Sequence, residues 1–396
     1  MTIPPVVYLD TQDYSRFGDV LRGKSANGED EALFLELERR KRNGDVVFPV
    51  SMPILAELLQ YHPEYRETTL RKAEAVERLC GSWALAYPSR LIAFELASAV
   101  LKDETTAPIL SDDRYWYPNS SDSLEEFAKQ FQGGVSKKIA ELPSPQNRKE
   151  RRARKKQLSK FDPSLAVRLA VPEIAEKFGI PAGAVQASVV AFLEGRLTSA
   201  QASRKLFEAI CEPSTFVQVY FERIESQRTL PLWLGDMGRK LKSDLDILQS
   251  EVQPYVHDAA MRQEMWQLLR SRSLDLGHDI AQLGRDGIDE FGATTAEAEN
   301  LLSNYEALTE VPSYNVISKI VIGYVSHVLG LQGDVAKVER SFGGDLIHSL
   351  YLPHVNLWRG DRRFSDVVRR ALPQYSKKIV AAPSDLLTAI ERLLAP

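Results

Sequence analysis

Strand-like runs occur only near the two ends of this chain, and their separation constrains the fold more than any other feature. Val6-Val7-Tyr8-Leu9 and Asp45-Val46-Val47-Phe48-Pro49-Val50 stand early, and Val355 to Arg359 stands far downstream. Each is short, rich in branched or aromatic residues and bounded by polar or turn-forming ones, as buried strands are. From Thr105 to about Val311 the pattern is almost entirely helical, punctuated by Pro143, Pro145, Pro163, Pro172, Pro213 and Pro231. At 396 residues the chain also exceeds a usual single core. The expectation is an α/β domain made from residues 1–104 and 312–396, interrupted by an all-helical insertion over 105–311.

Helices are expected over Asp30–Arg42, Met52–Gln60, Lys72–Leu85 and Arg90–Lys102, with Tyr14–Leu21 as a helix or connection after the first strand. Ser51 can cap the second of these and Pro53 is tolerated in its first turn. Tyr87-Pro88-Ser89 supplies a break and cap. Val316–Leu329 reads as an apolar helix. Asp345 opens another (Leu346, Ile347, Leu350, Tyr351), Pro353 stops it, and Asp361 follows the last strand at once.

Four acids fall beside these apolar runs. Asp10 and Asp361 follow strands, Glu57 lies beside the core stripe of Leu55, Leu58 and Leu59, and Asp345 begins a helix. Each alone is ordinary among 54 acids. Together they can converge, because sites in α/β folds form at the carboxyl ends of parallel strands. Carboxylates brought within about 4 Å repel by several kcal/mol at an effective dielectric near 20, so such a cluster calls for a cation. An all-oxygen set suits Mg²⁺ or Mn²⁺, and no Cys or His spacing indicates zinc. His348 lies three residues after Asp345 on the same face, placed to contact a phosphate, to hold Asp345, or to be a partly buried helix histidine.

The densest charge run comprises Arg148, Lys149, Arg151, Arg152, Arg154, Lys155 and Lys156, which could line phosphates or form a solvated segment. No aromatic residue interleaves with it, so base stacking there is unsupported. Pro172 to Ser188 has the outline of a helix-turn-helix with Gly179 in the turn. Its second helix continues as Val189-Val190-Ala191-Phe192, too apolar for a groove, and reads as core.

A formal charge of -4 does not announce a nucleic-acid binder by itself. The two cysteines, Cys80 and Cys211, suit a reduced protein better than a disulfide framework. With no signal-peptide pattern and no long uncharged apolar run, a cytoplasmic protein without membrane contact is expected.

The pattern of Val6 to Thr11, of Val50-Ser51 to Glu57-Leu58, and of Asp345 followed by Asp361-Arg362-Arg363-Phe364 resembles the PIN-domain nucleases. The run Asp345-Leu-Ile-His348 with Tyr351-Leu-Pro353-His-Val355 is similar to the larger bacterial PIN-like proteins. The likeness covers about the first hundred and last eighty-five residues. It implies a parallel sheet flanked by helices and an acidic pocket that binds Mg²⁺ or Mn²⁺ and hydrolyses phosphodiesters, usually of RNA. Asp10, Glu57, Asp345 and Asp361 match the family's acidic positions, and Thr11 its hydroxyl neighbour. Gln12 stands where the family often has Asn, and Asn356 where larger members often have an acid, which leaves the number of metal ions open. The resulting expectation is a metal-dependent nuclease, with RNA before DNA as partner and a homo-oligomer compatible with it. The alternative is a protein of the same fold that binds nucleic acid or protein without turnover. A haloacid-dehalogenase-type phosphohydrolase would also place Asp10 after a strand, but it calls for an acid where Gln12 stands.

Overall fold

The computed structural model describes residues 3–24, 28–59, 63–102, 109–113, 180–209, 211–222, 258–331 and 341–395, with scattered positions between 124 and 255 and at 339. The chain divides into two compact units, residues 1–116 with 228–396, and residues 117–227.

The first unit is α/β. Strand β1 (Val7–Tyr8) pairs in parallel with β4 (Leu357–Arg359), Val7 opposite Leu357, and β4 pairs in parallel with β5 (Ile379–Val380). On the other side of β1, residues 46–50 extend the sheet through parallel bridges from Val47 to Val6 and from Val50 to Ala84 of β2 (Ala84–Leu85). A short antiparallel strand, β3 (Leu110–Ser111), closes that edge. Taken in chain order, the parallel segments lie 3-2-1-4-5, a doubly wound order whose direction switches between the first and the fourth. Val7, Tyr8, Leu9, Val46 and Phe48 are all buried, as strands covered on both faces must be.

Helices α1 (Thr11–Leu21), α2 (Gly28–Arg42), α3 (Met52–Leu58), α4 (Arg66–Cys80) and α5 (Pro88–Leu101) follow β1 and its neighbours. The helix expected over Lys72–Leu85 stops at Cys80, because Gly81 turns the chain at φ 60° and Ala84–Leu85 then joins the sheet. In the carboxyl-terminal portion come α6 (Ala259–Gln282), α7 (Pro312–Val328), α8 (Phe342–His348), α9 (Arg362–Ala371) and α10 (Leu386–Leu394). Asp345 does not open its helix as expected. Ser341 takes that place, and Asp345 sits in the first turn. Pro353 does not stop the chain but lies inside a 3-10 segment, Ser349–His354.

The helical insertion is narrower as a compact unit than the 105–311 expected. Residues 228–311 group with the sheet. The reason is packing: Ile92 and Leu96 of α5 share one apolar cluster with Ala281, Ile288, Ala298, Leu302, Leu308 and Tyr314. A Cβ on Gly284 would stand 2.4 Å from the backbone nitrogen of Ala93, so the two segments touch main chain to main chain. Buried Glu95 adds a polar tie, accepting from the Ser313 N–H at 2.8 Å and contacting His354 Nε2 at 2.6 Å. Helix periodicity alone carries no information about such long-range partners.

In residues 117–227 the described elements are helical, including Ser199–Glu208, capped reciprocally by Thr198 and Gln201, and Pro213–Glu222. Val185, Val189, Val190 and Ala191 are buried, which fits core helices better than a recognition helix. The basic run Arg148–Lys156 and Gly179 lie outside the described residues. Cys80 and Cys211 are both buried and in no disulfide, and burial pushes Cys80 up to about 12. No helix among the described residues is long and apolar enough to cross a membrane.

Candidate active site

Two acids stand at the switch point, each just past the carboxyl end of a central strand. Asp10 follows β1 and caps α1, its Oδ1 accepting the Gln12 N–H at 3.1 Å, while its own N–H donates to Asp13 Oδ2 at 3.3 Å. Asp361 follows β4 and caps α9, its Oδ1 accepting the N–H groups of Arg363 at 2.7 Å and Phe364 at 3.0 Å. An aspartate at a helix start is in itself a structural device. These two differ because adjacent parallel strands deliver them side by side and each cap uses Oδ1.

Asp345 faces them from α8. Burial first, then the negative charges of Asp10, Asp361 and Glu57, push its carboxyl well above the ordinary range. Asp10 is likewise raised, by burial, with His348 opposing and Glu57 reinforcing. Glu57 comes from α3. Burial alone would raise it too, yet His348 and then the Thr11 hydroxyl hold it below its usual value. The four expected acids therefore share one electrostatic neighbourhood. They are not drawn to ligand distance: among the described residues no group of three or more His, Cys, Asp or Glu side chains is close enough to hold a metal ion as it stands.

Thr11 is 6% exposed, and its hydroxyl faces Glu57. His348, 4% exposed, places Nε2 3.3 Å from Glu57 Oε2, at ion-pair distance but off the line of a well-aligned hydrogen bond. It thus backs Glu57 rather than Asp345.

Four residues of the site were not singled out from sequence. Asp13 is buried and pairs with buried Arg359, Nη2 to Oδ1 at 3.4 Å. Burial raises the Asp13 carboxyl to about 7, against the pull of Arg359. Tyr8 and Ser51 lie behind His348, within hydrogen-bond distance of one another. A polar residue in an apolar strand (Tyr8, Arg359) was the only signal that could have found them.

Asp345 and Asp361 open onto a cleft of about 670 Å³. Gln12 lines it, as do Arg362, Arg363, Arg370 and His327 together with the acids Glu339 and Asp366, so basic groups share the cleft with the acids. Arg363 is paired with Glu339. Asn356 plays no part here: its Oδ1 accepts the Val6 N–H at 2.8 Å, at the amino end of the paired strands, so an acid at that position would face away from the site. No protein-family model matches the chain, and no curated protein or solved structure is significantly similar to it.

Proposed function

We propose that this protein is a metal-dependent nuclease of PIN-like architecture, acting on RNA in preference to DNA. The observation that carries this reading is the gathering of Asp345, Asp10, Glu57 and Asp361, all half-buried, at the switch between two parallel strands. Uncompensated carboxylates so placed destabilise the fold unless something else binds them. The donors fit a hard divalent ion such as Mg²⁺ or Mn²⁺ in kind: four carboxylates, with the buried Thr11 hydroxyl beside Glu57. Asp10, Glu57, Asp345 and Asp361 would hold it. Bound there, such an ion would supply a nucleophilic water near neutral pH and offset charge on the phosphate.

The chain's own residues do the rest. Arg362, Arg370 and His327 line the same cleft as Asp345 and Asp361 and are placed to hold phosphates of an incoming strand. The two caps fix the orientation of Asp10 and Asp361, because each Oδ1 is already committed to main-chain N–H groups. Arg359, through Asp13, anchors the start of α1 on which Asp10 and Thr11 ride. The preference for RNA rests on the motif resemblance.

The test is cleavage of structured RNA and single-stranded DNA in Mg²⁺, in Mn²⁺ and in EDTA. Metal-dependent cleavage lost in Asp10→Asn supports the reading, and cleavage that persists in EDTA sinks it. The wider spacing of the acids favours a second reading, a protein that binds nucleic acid without turnover. Salt-dependent binding with no cleavage of any substrate would support that one.

A further inference from the structure

Behind the acidic site runs a buried polar chain. Ser51 Oγ stands 2.7 Å from the Tyr8 hydroxyl, the Tyr8 hydroxyl 2.6 Å from His348 Nδ1, and His348 Nε2 3.3 Å from Glu57 Oε2. Ser51 and Tyr8 have no exposed surface, and His348 has only 4%. The members come from the α3 cap, the first strand and α8, so three elements meet in this one chain. The backbone of His348 is held as well, by the Trp358 indole N–H, which donates to the His348 carbonyl at 3.2 Å.

We infer that Ser51, Tyr8 and His348 are positioning residues that aim the Glu57 carboxylate at the acidic site, an inference that rests on the metal-site reading above. The chain ends, at the side away from Glu57, on a fully buried serine. Its directionality is fixed. A neutral imidazole accepts the Tyr8 proton at Nδ1 and so carries its own proton on Nε2, and an imidazolium carries one there as well. The remaining tautomer would turn a lone pair on a carboxylate. Burial keeps the Tyr8 phenol protonated, so it remains a donor and acceptor between Ser51 and His348. In both allowed states Nε2 carries its proton at ion-pair distance from Glu57, 3.3 Å from Oε2. Carboxylates that bind metals are commonly oriented by such outer partners, whose loss costs roughly 10–100-fold in metal affinity.

The opposite side of Glu57 supports the same assignment. Its Oε1 rests against Gly344, where a Cβ would stand at 2.5 Å, so both carboxylate oxygens meet α8, Oε1 at Gly344 and Oε2 at His348.

The experiment is Mn²⁺ titration of the full-length protein, with thermal melting as the folding control. Compared are wild type, Tyr8→Phe, His348→Gln, their double variant, and Asp345→Asn. The Gln side chain can donate to Glu57 from the same place as Nε2 but does not need Tyr8. The expected result is a roughly 10–100-fold weaker Mn²⁺ affinity in Tyr8→Phe at a retained Tm, and no further loss on adding Tyr8→Phe to His348→Gln. Unchanged affinity in Tyr8→Phe, while Asp345→Asn loses binding, overturns the inference and leaves the metal site standing. An equal loss from Tyr8→Phe in both backgrounds also overturns it, since Tyr8 would then act independently of His348. Absence of Mn²⁺ binding in wild type overturns both. If Tyr8→Phe does not fold, Ser51→Ala in the same two backgrounds is read in the same way.

Discussion

The backbone of Gly344 lies directly against the Glu57 carboxylate, with room for no Cβ: one built there would stand 2.5 Å from Oε1. The obstructing atom is the tip of a side chain, not main chain, so the carboxylate would move before the helix does. Gly344→Ala should therefore keep or raise Tm, since alanine favours a helix by up to about 1 kcal/mol over glycine. Mn²⁺ affinity and cleavage should fall together. Melting curves beside a metal titration check this, and an unchanged affinity would mean Glu57 is not a ligand.

Asp345→Asn removes one charge from a half-buried set of like charges. In EDTA the variant should melt higher than wild type, by about 2–4 °C for each kcal/mol of repulsion relieved. With Mg²⁺ present the order should reverse, because wild type gains stability from the ion and the variant does not. A variant that melts lower in EDTA would show that the Asp345 carboxylate is not under repulsion.

Asp13 gives a pH dependence with a definite sign. Its carboxyl rises on folding from 3.8 to about 7, as burial outweighs Arg359, and Asp10 and Asp345 are raised as well. Between the two values the folded protein binds more protons than the unfolded chain, so stability falls as pH climbs through that window. Glu57, held low, opposes this in part. Tm measured in EDTA should decline from about pH 5 to pH 8, and Asp13→Asn should flatten the slope. A Tm that rises over this range would contradict the buried, unneutralised state of the cluster.

Arg362→Gln and Arg370→Gln should weaken binding of RNA and shallow its salt dependence by about 0.7 in log-log slope for each phosphate that is no longer neutralised. Folding should be unaffected, as both residues line an open cleft. Neutralising Arg148, Arg151, Arg152 and Lys155 tests the basic run in the same assay. The set that moves the slope identifies the path of the strand.

The sequence made Asp10 and Asp361 legible because each directly follows a short apolar run, and that pattern survives as strand and cap. Glu57 and Asp345 were legible as acids on apolar helix faces. What joins them was not: His348 meets Tyr8 from 340 residues away, and no local periodicity encodes such a pairing. Asp13 hid inside an ordinary helix-start signature, as its cap to Asp10 is local while its partner Arg359 is remote. The stretch from Trp83 to Ala86 reads as a continuation of the preceding helix, since an apolar run of four suits either state and only Gly81 marks the change.

The pairing of β1 with β4 carries a consequence for biogenesis. Val6 bonds to Asn356 across 350 residues, so at about 5–20 residues per second the first strand waits roughly 20–70 s for the neighbour on that side. Until then one of its edges is open, and Asp10 and Glu57 have no Asp345 or Asp361 to face. A nascent or prematurely terminated chain that ends before Tyr324 therefore carries only Asp10 and Glu57 of the four acids and only Gln12 of the cleft lining. On the nuclease reading proposed above, the site is incomplete until translation has passed Asp361, and the first strand keeps an open edge in the interim.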